Sequence, residues 1–564
     1  MSYHGGETVV DMSGRIIGIN RVLARWSIVL LIALGGAVPW ARADDIVQGT
    51  LLVRWGDGPR AAVGRASATS HVEAWLEVGP GLRYRLDMDQ AMRAAGDLPA
   101  LSHRRVAVSY TSRRQPAAKT GAGQAMTPSI DAIVPVDRVP ARALARAADG
   151  RIALAAPVTG STRWVTLMCK FADVAAEPRS RAFFQSQYGD APGQLGHYWS
   201  EVSYGAITLA GSSAHGWYAL PAPRSTYVTM VGGKARADLP LLFNDCIAQA
   251  EAQVDFRNVQ GINLMFNAEL DGRAWAGGAC GLLEGVYACT RATWNPPWST
   301  DNLSSLAHEM GHGYGLPHSD NSDGDADTHD NPWDLMSDAW RHAASDPVLG
   351  LLPKHLSMHH RDRLGWVSPA LRYVVPENNA AAHEIVLEAA SMPPSGGVHL
   401  VVLAGAAQPD PYRTESYTLE ARRRSGTYES GLAGDAVILH RVADNGAAYS
   451  VDTDTPPADL SGNEGSMLRV GEQWNTPDGR HWVSVIASTT TGFLIRIGPR
   501  PRVMSAPAPA LERTAAPQAS AAGRMDVTQV GVRGSLQRRA GDTPTCGTLV
   551  RRWQASPACA LFAR

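Results

Sequence analysis

The stretch "HEMGHGYGLPH", residues 308–318, contains three histidines and a glutamate within eleven positions. The residues before it predict a helix, which Thr300 or Asp301 is placed to cap and which carries an apolar stripe at helical spacing. The stripe consists of Leu303, Leu306, Ala307 and Met310. His308 and His312 are four residues apart, so they project from one face of this helix. Two imidazoles placed in this way can reach one metal ion.

The residues that follow supply a base and a third ligand. Glu309 comes directly after the first histidine and points beside the ion, where an activated water molecule would lie. Catalytic zinc usually takes three protein ligands. Gly315 can adopt positive φ and end the helix, and Pro317 prevents it from resuming, so that the chain turns back and brings His318 to the ion. Histidines at a helix C-terminus also act as partners of the helix dipole, which is the simpler alternative.

The chain on either side of the motif alternates between strands and helices. Residues 164–173 and 261–270 are strand-like, whereas residues 194–205 and 239–254 have helical apolar spacing. This alternation predicts a sheet with helices packed on it over residues 156–370.

The spacing H-E-x-x-H-x-x-G-x-x-H resembles the extended zinc motif of the metzincin metallopeptidases, and the stretch 334–337, "DLMS", resembles their Met-turn. The segments "HYWSEVSYG" (197–205), "WDLMS" (333–337) and "HHRDRLGW" (359–366) are most similar to gametolysin-like and immune-inhibitor-A-like secreted bacterial peptidases. The resemblance implies the following roles: zinc ligands His308, His312 and His318, general base Glu309, helix-terminating Gly315, and Met336 as an apolar floor beneath the ion.

The resemblance also implies a fold class. We expect an α+β metzincin-like catalytic domain, with a twisted mixed sheet, helices and the zinc helix, flanked by β-rich N- and C-terminal regions. Residues 371–500 contain strand-like runs separated by turn residues, and residues 416–442 are similar to the β module that follows the catalytic domain in immune-inhibitor-like peptidases. We interpret this part as a β-sandwich-like domain.

The sequence departs from the family pattern at two positions. Some metzincins have a tyrosine two residues after the Met-turn methionine, whereas this chain has Asp338 there. Immune-inhibitor-like members often have aspartate where this chain has His318. Tyrosine assistance is therefore not expected, and the place of the chain within the clan stays open.

An acidic loop, "SDNSDGDADTHDNPWD", separates the third histidine from the Met-turn. Clustered carboxylates with a glycine suit calcium, which takes several oxygen ligands from a flexible loop. The spacing is not that of an EF-hand, and a solvated acidic loop is the alternative. The candidate calcium ligands are Asp320, Asp323, Asp325 and Asp327. His329 is interpreted as an ordinary loop residue.

The N-terminus resembles a signal peptide. Arg21 and Arg25 precede an uninterrupted apolar run at residues 26–38, which is too short to span a bilayer as a mature helix but matches a signal h-region. We therefore expect residues 1–43 to be removed and the chain to be secreted or periplasmic in a bacterium. Residues 44–155 are interpreted as a β-rich region that could act as a pro-segment. Residues 44–168 contain no cysteine, so latency there would act by steric occupation or through Asp, Glu or His.

Six cysteines allow fifteen pairings, which the sequence does not choose among. The short spacings favour Cys280 with Cys289 and Cys546 with Cys559, which leaves Cys169 for Cys246. Residues 501–564 open with a Pro- and Ala-rich stretch and are interpreted as a disordered tail.

The net charge of -1 excludes a global basic field for nucleic acid. The motif and the export signal together predict a secreted zinc metalloendopeptidase that acts as a monomer, without a membrane span, on protein or peptide substrates. It would use one catalytic Zn²⁺, with Ca²⁺ as a candidate second ion. The alternative is a non-catalytic secreted surface-binding protein that retains a structural zinc site.

We predict that signal peptidase cleaves after Ala43, because Ala41 and Ala43 occupy the small-residue positions of the cleavage site. Edman sequencing of exported protein should begin at Asp44. A mature N-terminus far from this position would contradict the predicted signal peptide at residues 1–43.

Overall fold

The computed structural model describes residues 45–59, 70–113, 127–136, 157–324, 327–405, 416–443, 445–454 and 465–499. The predicted signal peptide, the predicted tail, Asp325 and the Cys546–Cys559 pair lie outside the described residues.

The N-terminal region consists of a set of antiparallel strands around one helix. Its elements are β1 (Asp45–Asp57), β2 (His71–Gly79), β3 (Leu82–Leu86), α1 (Met88–Ala95), a 3-10 turn (Pro99–Leu101), β4 (Arg105–Arg113) and β5 (Thr127–Pro135). Strand β1 pairs with both β2 and β4, and α1 covers the apolar face that these strands share. The β-rich character expected for this region is therefore observed.

The middle of the chain is mixed α/β. Its elements are β6 (Gly160–Ser161), β7 (Trp164–Lys170), α2 (Arg181–Ser186), α3 (Leu195–Val202), β8 (Ile207–Thr208), β9 (Ser213–Ala219), α4 (Arg224–Tyr227), β10 (Val228–Val231), β11 (Lys234–Ala237), α5 (Leu239–Ala250), β12 (Gly261–Phe266), β13 (Ala274–Leu283), β14 (Val286–Asn295), a 3-10 turn (Pro297–Thr300) and α6 (Leu303–Gly313). The strands and helices predicted at 164–173, 194–205, 239–254 and 261–270 are all present.

Four parallel strands form the centre of the main sheet, in the order β9-β7-β12-β14, and β13 runs antiparallel beside β14. Alternate residues of β7 enter two different cores. Trp164 and Met168 pack on the side of α3 and α6, while Val165 and Leu167 pack on the side of α5. A strand covered on both faces is mostly apolar, which explains why five of the six residues at 164–169 are hydrophobic. The exception is Thr166, whose hydroxyl is hydrogen-bonded to that of Tyr188.

Strand β1 continues this sheet beyond β13. The last three residues of β1 pair antiparallel with β13, with Trp55 opposite Ala276 and Asp57 opposite Ala274. The approach is close at Gly277, where an added Cβ would lie 2.1 Å from the Val53 carbonyl oxygen and where φ is +135°. The N-terminal region and the middle of the chain thus share one ten-stranded sheet.

The C-terminal part contains two sheets that face each other across one apolar core. Its elements are β15 (Ser319–Asn321), β16 (Ser345–Asp346), β17 (Gly350–Leu351), α7 (Met358–Arg363), a 3-10 turn (Pro369–Leu371), β18 (Arg372–Val375), β19 (His383–Glu388), β20 (Leu400–Leu403), β21 (Ser416–Arg422), α8 (Gly426–Glu429), β22 (Ala436–Val442), β23 (Ala448–Ser450), β24 (Gln473–Asn475), β25 (His481–Ser488) and β26 (Gly492–Pro499).

One sheet of this part has the order β15-β23-β22-β21-β20-β18, and the other has the order β19-β26-β25-β24. Strand β15, directly after His318, pairs with β23. Sheet pairing therefore crosses the boundary that we expected near residue 370, and it ties the end of the histidine motif to the C-terminal sheet.

Two disulfides lie within the described residues. Cys169 is bonded to Cys246, and Cys280 is bonded to Cys289, as the spacing favoured. The described part of the chain has no helix long and apolar enough to cross a membrane.

Candidate metal centre

Helix α6 carries the first two histidines of the motif. It follows β14 through the 3-10 turn, and all of its residues are buried. Asn302 is the N-cap, not Thr300 or Asp301 as predicted, and its side chain accepts the Leu351 N–H instead of capping the helix. His308 and His312 lie one turn apart, with ring centroids 4.7 Å from each other.

Backbone carbonyls fix the orientation of both rings. His308 Nδ1 donates to the Leu335 carbonyl at 2.7 Å, and His312 Nδ1 donates to the Leu316 carbonyl at 2.8 Å. A carbonyl oxygen can only accept, so the proton of each neutral ring is on Nδ1. The two Nε2 atoms therefore direct lone pairs towards the same point, where they lie 3.1 Å apart.

His318 completes a group of three imidazoles. The helix ends at Gly313, and Gly315 has a φ of +93°, a conformation that glycine adopts without steric cost. The chain then returns, and His318 Nε2 lies 3.0 Å from His312 Nε2. The three motif histidines are thus brought together by the turn at Gly315.

Asp57, at the end of β1, is the fourth member of the group. Its Oδ2 lies 3.5, 3.2 and 3.3 Å from the Nε2 atoms of His308, His312 and His318, respectively. The neighbouring Trp55 stacks on the His312 ring, with centroids 4.7 Å apart and planes within 6°. These four donors form the one group of metal-binding geometry found among the described residues. The group can hold a metal ion.

Burial favours the uncharged form of two of the three imidazoles. It lowers the pKa of His312 to about 4 and that of His318 to about 3, although the Asp57 carboxylate raises both. At neutral pH these rings are therefore neutral, which is the form that binds metal.

Glu309 is buried beside the group and has an unsatisfied oxygen. Glu309 is only 3 % exposed, and its Oε2 has no hydrogen-bond partner within the described residues. Burial, together with the negative charge of Asp57, raises the pKa of Glu309 well above that of an ordinary carboxyl group. A carboxyl group in this setting takes up a proton readily.

No protein-family model matches the chain, and no curated protein is significantly similar to it.

Met336 lies against the histidine helix. It is fully buried, and its Sδ fills the space next to Gly311, where an added Cβ would come within 2.3 Å of the sulfur. The Leu335 carbonyl that orients His308 directly precedes it. Asp338, where some metzincins have tyrosine, accepts the backbone N–H groups of Trp340 and Arg341 and so stabilises a turn.

Asp334 connects three segments around the site. Its Oδ1 accepts the N–H groups of Met336 and Ser357, and its Oδ2 accepts the hydroxyls of Ser319 and Ser357. His360 Nδ1 lies 2.7 Å from Oδ2. Burial alone would raise the pKa of Asp334, but the His360 charge and these hydrogen bonds outweigh it and hold the pKa below its ordinary value. The Met-turn, the strand after His318 and α7 thus share one carboxylate.

The predicted calcium site is not observed among the described residues. Asp320, Asp323 and Asp327 belong to no group of metal-binding geometry there, and Asp325 lies outside the described part. Burial and these three neighbouring carboxylates raise the pKa of Asp330 to about 7, although the Asn321 N–H that it accepts lowers it. Calcium binding by this loop stays a prediction.

Sequence reasoning missed two residues of the site. Asp57 lies 251 residues before His308, and nothing in the stretch "RWGDGP" (54–59) marks it. His329, interpreted as a loop residue, lies with its ring centroid 4.6 Å from that of His318 and 5.8 Å from that of His308. Because residues 44–168 contain no cysteine, a residue that blocks the site from this region had to be an Asp, Glu or His, unless the region blocks it sterically. The sequence did not indicate which residue this would be.

We predict that Asp334→Asn lowers the free energy of unfolding by about 1.5–3 kcal/mol, because an amide nitrogen cannot accept the hydrogen bonds that one buried carboxylate oxygen accepts. Ser319→Ala is the control, since it keeps the carboxylate and removes only the hydroxyl, with its bond to Asp334 and the longer one that it accepts from Asn331, and it should cost about 1 kcal/mol. The native pKa is lowered, so the contribution is complete above the unfolded pKa of about 3.9 and is lost as the pH falls below it. Urea unfolding at pH 7 and pH 3 measures both effects, and equal losses in the two variants would contradict this role.

Proposed function

We propose that this protein is a secreted zinc endopeptidase and that the described structure is its latent form. The observation that carries the proposal is the convergence of four lone-pair donors on one point. His308 and His312 have their protons on Nδ1, so no hydrogen lies between their Nε2 atoms to hold them together at 3.1 Å. A carboxylate oxygen beside them adds a further lone pair. A bound cation would make this arrangement favourable.

The donor set supports zinc as that cation. The five measured donor–donor distances run from 3.0 to 3.5 Å. A tetrahedral zinc ion with ligands at about 2.0–2.1 Å requires its donors to lie about 3.3 Å apart. Calcium and magnesium prefer six or more oxygen ligands, which three imidazoles do not supply. The carbonyl partners of His308 and His312 are the outer contacts that typically orient zinc-binding histidines.

Glu309 is the proposed general base. His308, His312 and His318 would hold the zinc ion, which when bound would polarise the scissile carbonyl group and lower the pKa of water. Glu309 takes the proton of the water that adds to the carbonyl carbon and passes it to the leaving amine. Its Oε2 has no hydrogen-bond partner within the described residues and can accept that proton. The disulfides and the predicted signal peptide support an oxidising, extracytoplasmic location.

Asp57 is the proposed latency residue. Catalytic zinc sites keep one position open, and here Asp57 fills the fourth position. Backbone pairing of β1 with β13 and the stacking of Trp55 on His312 hold the carboxylate there. Latency then ends when the strand that carries Asp57 is removed or displaced.

The same closed geometry favours a second function, a non-catalytic protein with a structural zinc. Structural zinc sites have four protein ligands, and Asp57 provides the fourth. Glu309 is the argument against this alternative. A buried carboxyl group without a hydrogen-bond partner is costly, and a structural site has no use for it.

We predict different outcomes for base and ligand variants, each made in the full chain carrying Asp57→Ala. Glu309→Ala should keep about one zinc per chain while gelatin cleavage falls by at least ~10²–10⁴, the usual contribution of a positioned base. His312→Ala and His318→Ala should lose the metal, because two imidazoles hold zinc far more weakly than three.

His215→Ala, a histidine of β9 outside the group, is the matched control and should change neither quantity. Metal analysis and a peptide-cleavage assay decide the outcome. Full zinc and activity in His318→Ala would overturn the ligand assignment.

We also predict that Asp57→Ala activates the intact chain. The unprocessed wild type should be silent towards casein, whereas Asp57→Ala should cleave it at least ~10²-fold faster, because the fourth position opens. Asp89→Ala, at an exposed carboxylate of α1 in the same region, should stay silent. Mass spectrometry verifies that each chain is intact. Loss of zinc from Asp57→Ala without any activity would support the structural-zinc alternative instead.

A further inference from the structure

His329 lies next to the metal group without belonging to it. It is on the loop between β15 and the Met-turn, it is 8 % exposed, and its ring packs against those of His318 and Trp340. The three motif histidines face Oδ2 of Asp57, whereas His329 Nε2 faces Oδ1 at 3.4 Å. Its Nε2 is buried and forms no hydrogen bond within the described residues. The residue is therefore a candidate donor whose present counterpart is the Asp57 carboxylate.

The Asp57 carboxylate indicates which group of a substrate His329 could contact. Two oxygens on one carbon occupy the site, one among the ligand nitrogens and the other in front of His329. A peptide carbonyl to which water adds also has two oxygens on one carbon. The position of Oδ1 thus marks a place that the second oxygen of a reacting amide can take when Asp57 is absent.

We infer that His329 is a catalytic residue whose Nε2–H donates a hydrogen bond to the scissile carbonyl oxygen. This inference rests on the proposed function. During hydrolysis, water adds to the carbonyl carbon, Glu309 takes its proton, and the electron pair of the carbonyl moves onto its oxygen. The C–N bond then breaks, the proton passes to the amine, and a carboxylate and an amine are released. His329 is not consumed, and it stabilises the charge where it develops.

The other groups near Oδ1 do not replace His329. Ser70 Oγ donates to Oδ1 at 2.9 Å, but Ser70 belongs to the N-terminal region and leaves the site together with Asp57. Asp338 accepts hydrogen bonds from the backbone N–H groups of Trp340 and Arg341. His329 therefore remains as the donor that faces Oδ1 from outside the N-terminal region.

Acetate tests the oxygen position without any need for peptide hydrolysis. In the cobalt-loaded full chain carrying Asp57→Ala, acetate should fill the place of the missing carboxylate and change the visible cobalt spectrum. Adding His329→Leu should weaken acetate binding by about 10- to 100-fold, the usual worth of a hydrogen bond to a charged group. His329→Gln, which keeps an N–H donor, should recover part of the loss.

Two results of this titration would overturn the inference. Equal acetate affinity with and without His329→Leu means that His329 does not contact the second oxygen. Loss of cobalt from His329→Leu means that His329 is a ligand and not a donor to the substrate.

Kinetics and inhibitor binding test the catalytic role in the zinc-loaded chain carrying Asp57→Ala. His329→Leu should lower kcat by about 10²–10³, the usual effect of removing one such donor, with little change in KM. It should also weaken a phosphinic pseudopeptide, but not the matched peptide with a methylene in place of the phosphinyl group. Equal weakening of both probes would contradict the role. If the zinc-loaded Asp57→Ala chain with His329 intact cleaves no peptide, the proposed function is contradicted instead. The acetate titration still tests whether His329 contacts the second oxygen.

Discussion

The arrangement of the site depends on one electrostatic constraint, which is that lone pairs without intervening hydrogens repel each other. Because carbonyl oxygens of residues 335 and 316 hold the Nδ1 protons of His308 and His312, both Nε2 atoms are left bare. They lie about 3 Å apart with Asp57 beside them. A bound cation would compensate this buried set of lone pairs. The turn at Gly315, the Met-turn and the pairing of β1 all serve to bring these donors to one point.

The sequence predicted the local part of the site well, because local geometry determines it. Four-residue spacing puts His308 and His312 on one face of any helix, and a glycine at 315 is what a reversal after that helix requires. The apolar run of β7 likewise predicted a strand, because both of its faces are covered.

The sequence did not reveal which strands distant in the chain pair with each other. Asp57 reaches the histidines only because β1 joins the far side of β13, and the spacing of residues 54–59 carries no trace of that register. His329 was interpreted as an ordinary loop residue because its sequence neighbours do not show that the loop folds back and places its ring beside His318. The N-cap was wrong for a similar reason, since Asn302 is held by Leu351 from a distant turn.

The Cys280–Cys289 disulfide has a mechanical consequence for β13. It joins directly opposed residues of β13 and β14 and closes a loop so short that its entropic contribution is about 2.7 kcal/mol, against about 4.5 for Cys169–Cys246. Its value lies in the place where it acts. Should β1 leave, one border of β13 would lose its partner and present bare N–H and C=O groups along residues 274–276. The disulfide at the hairpin end would keep that border from fraying.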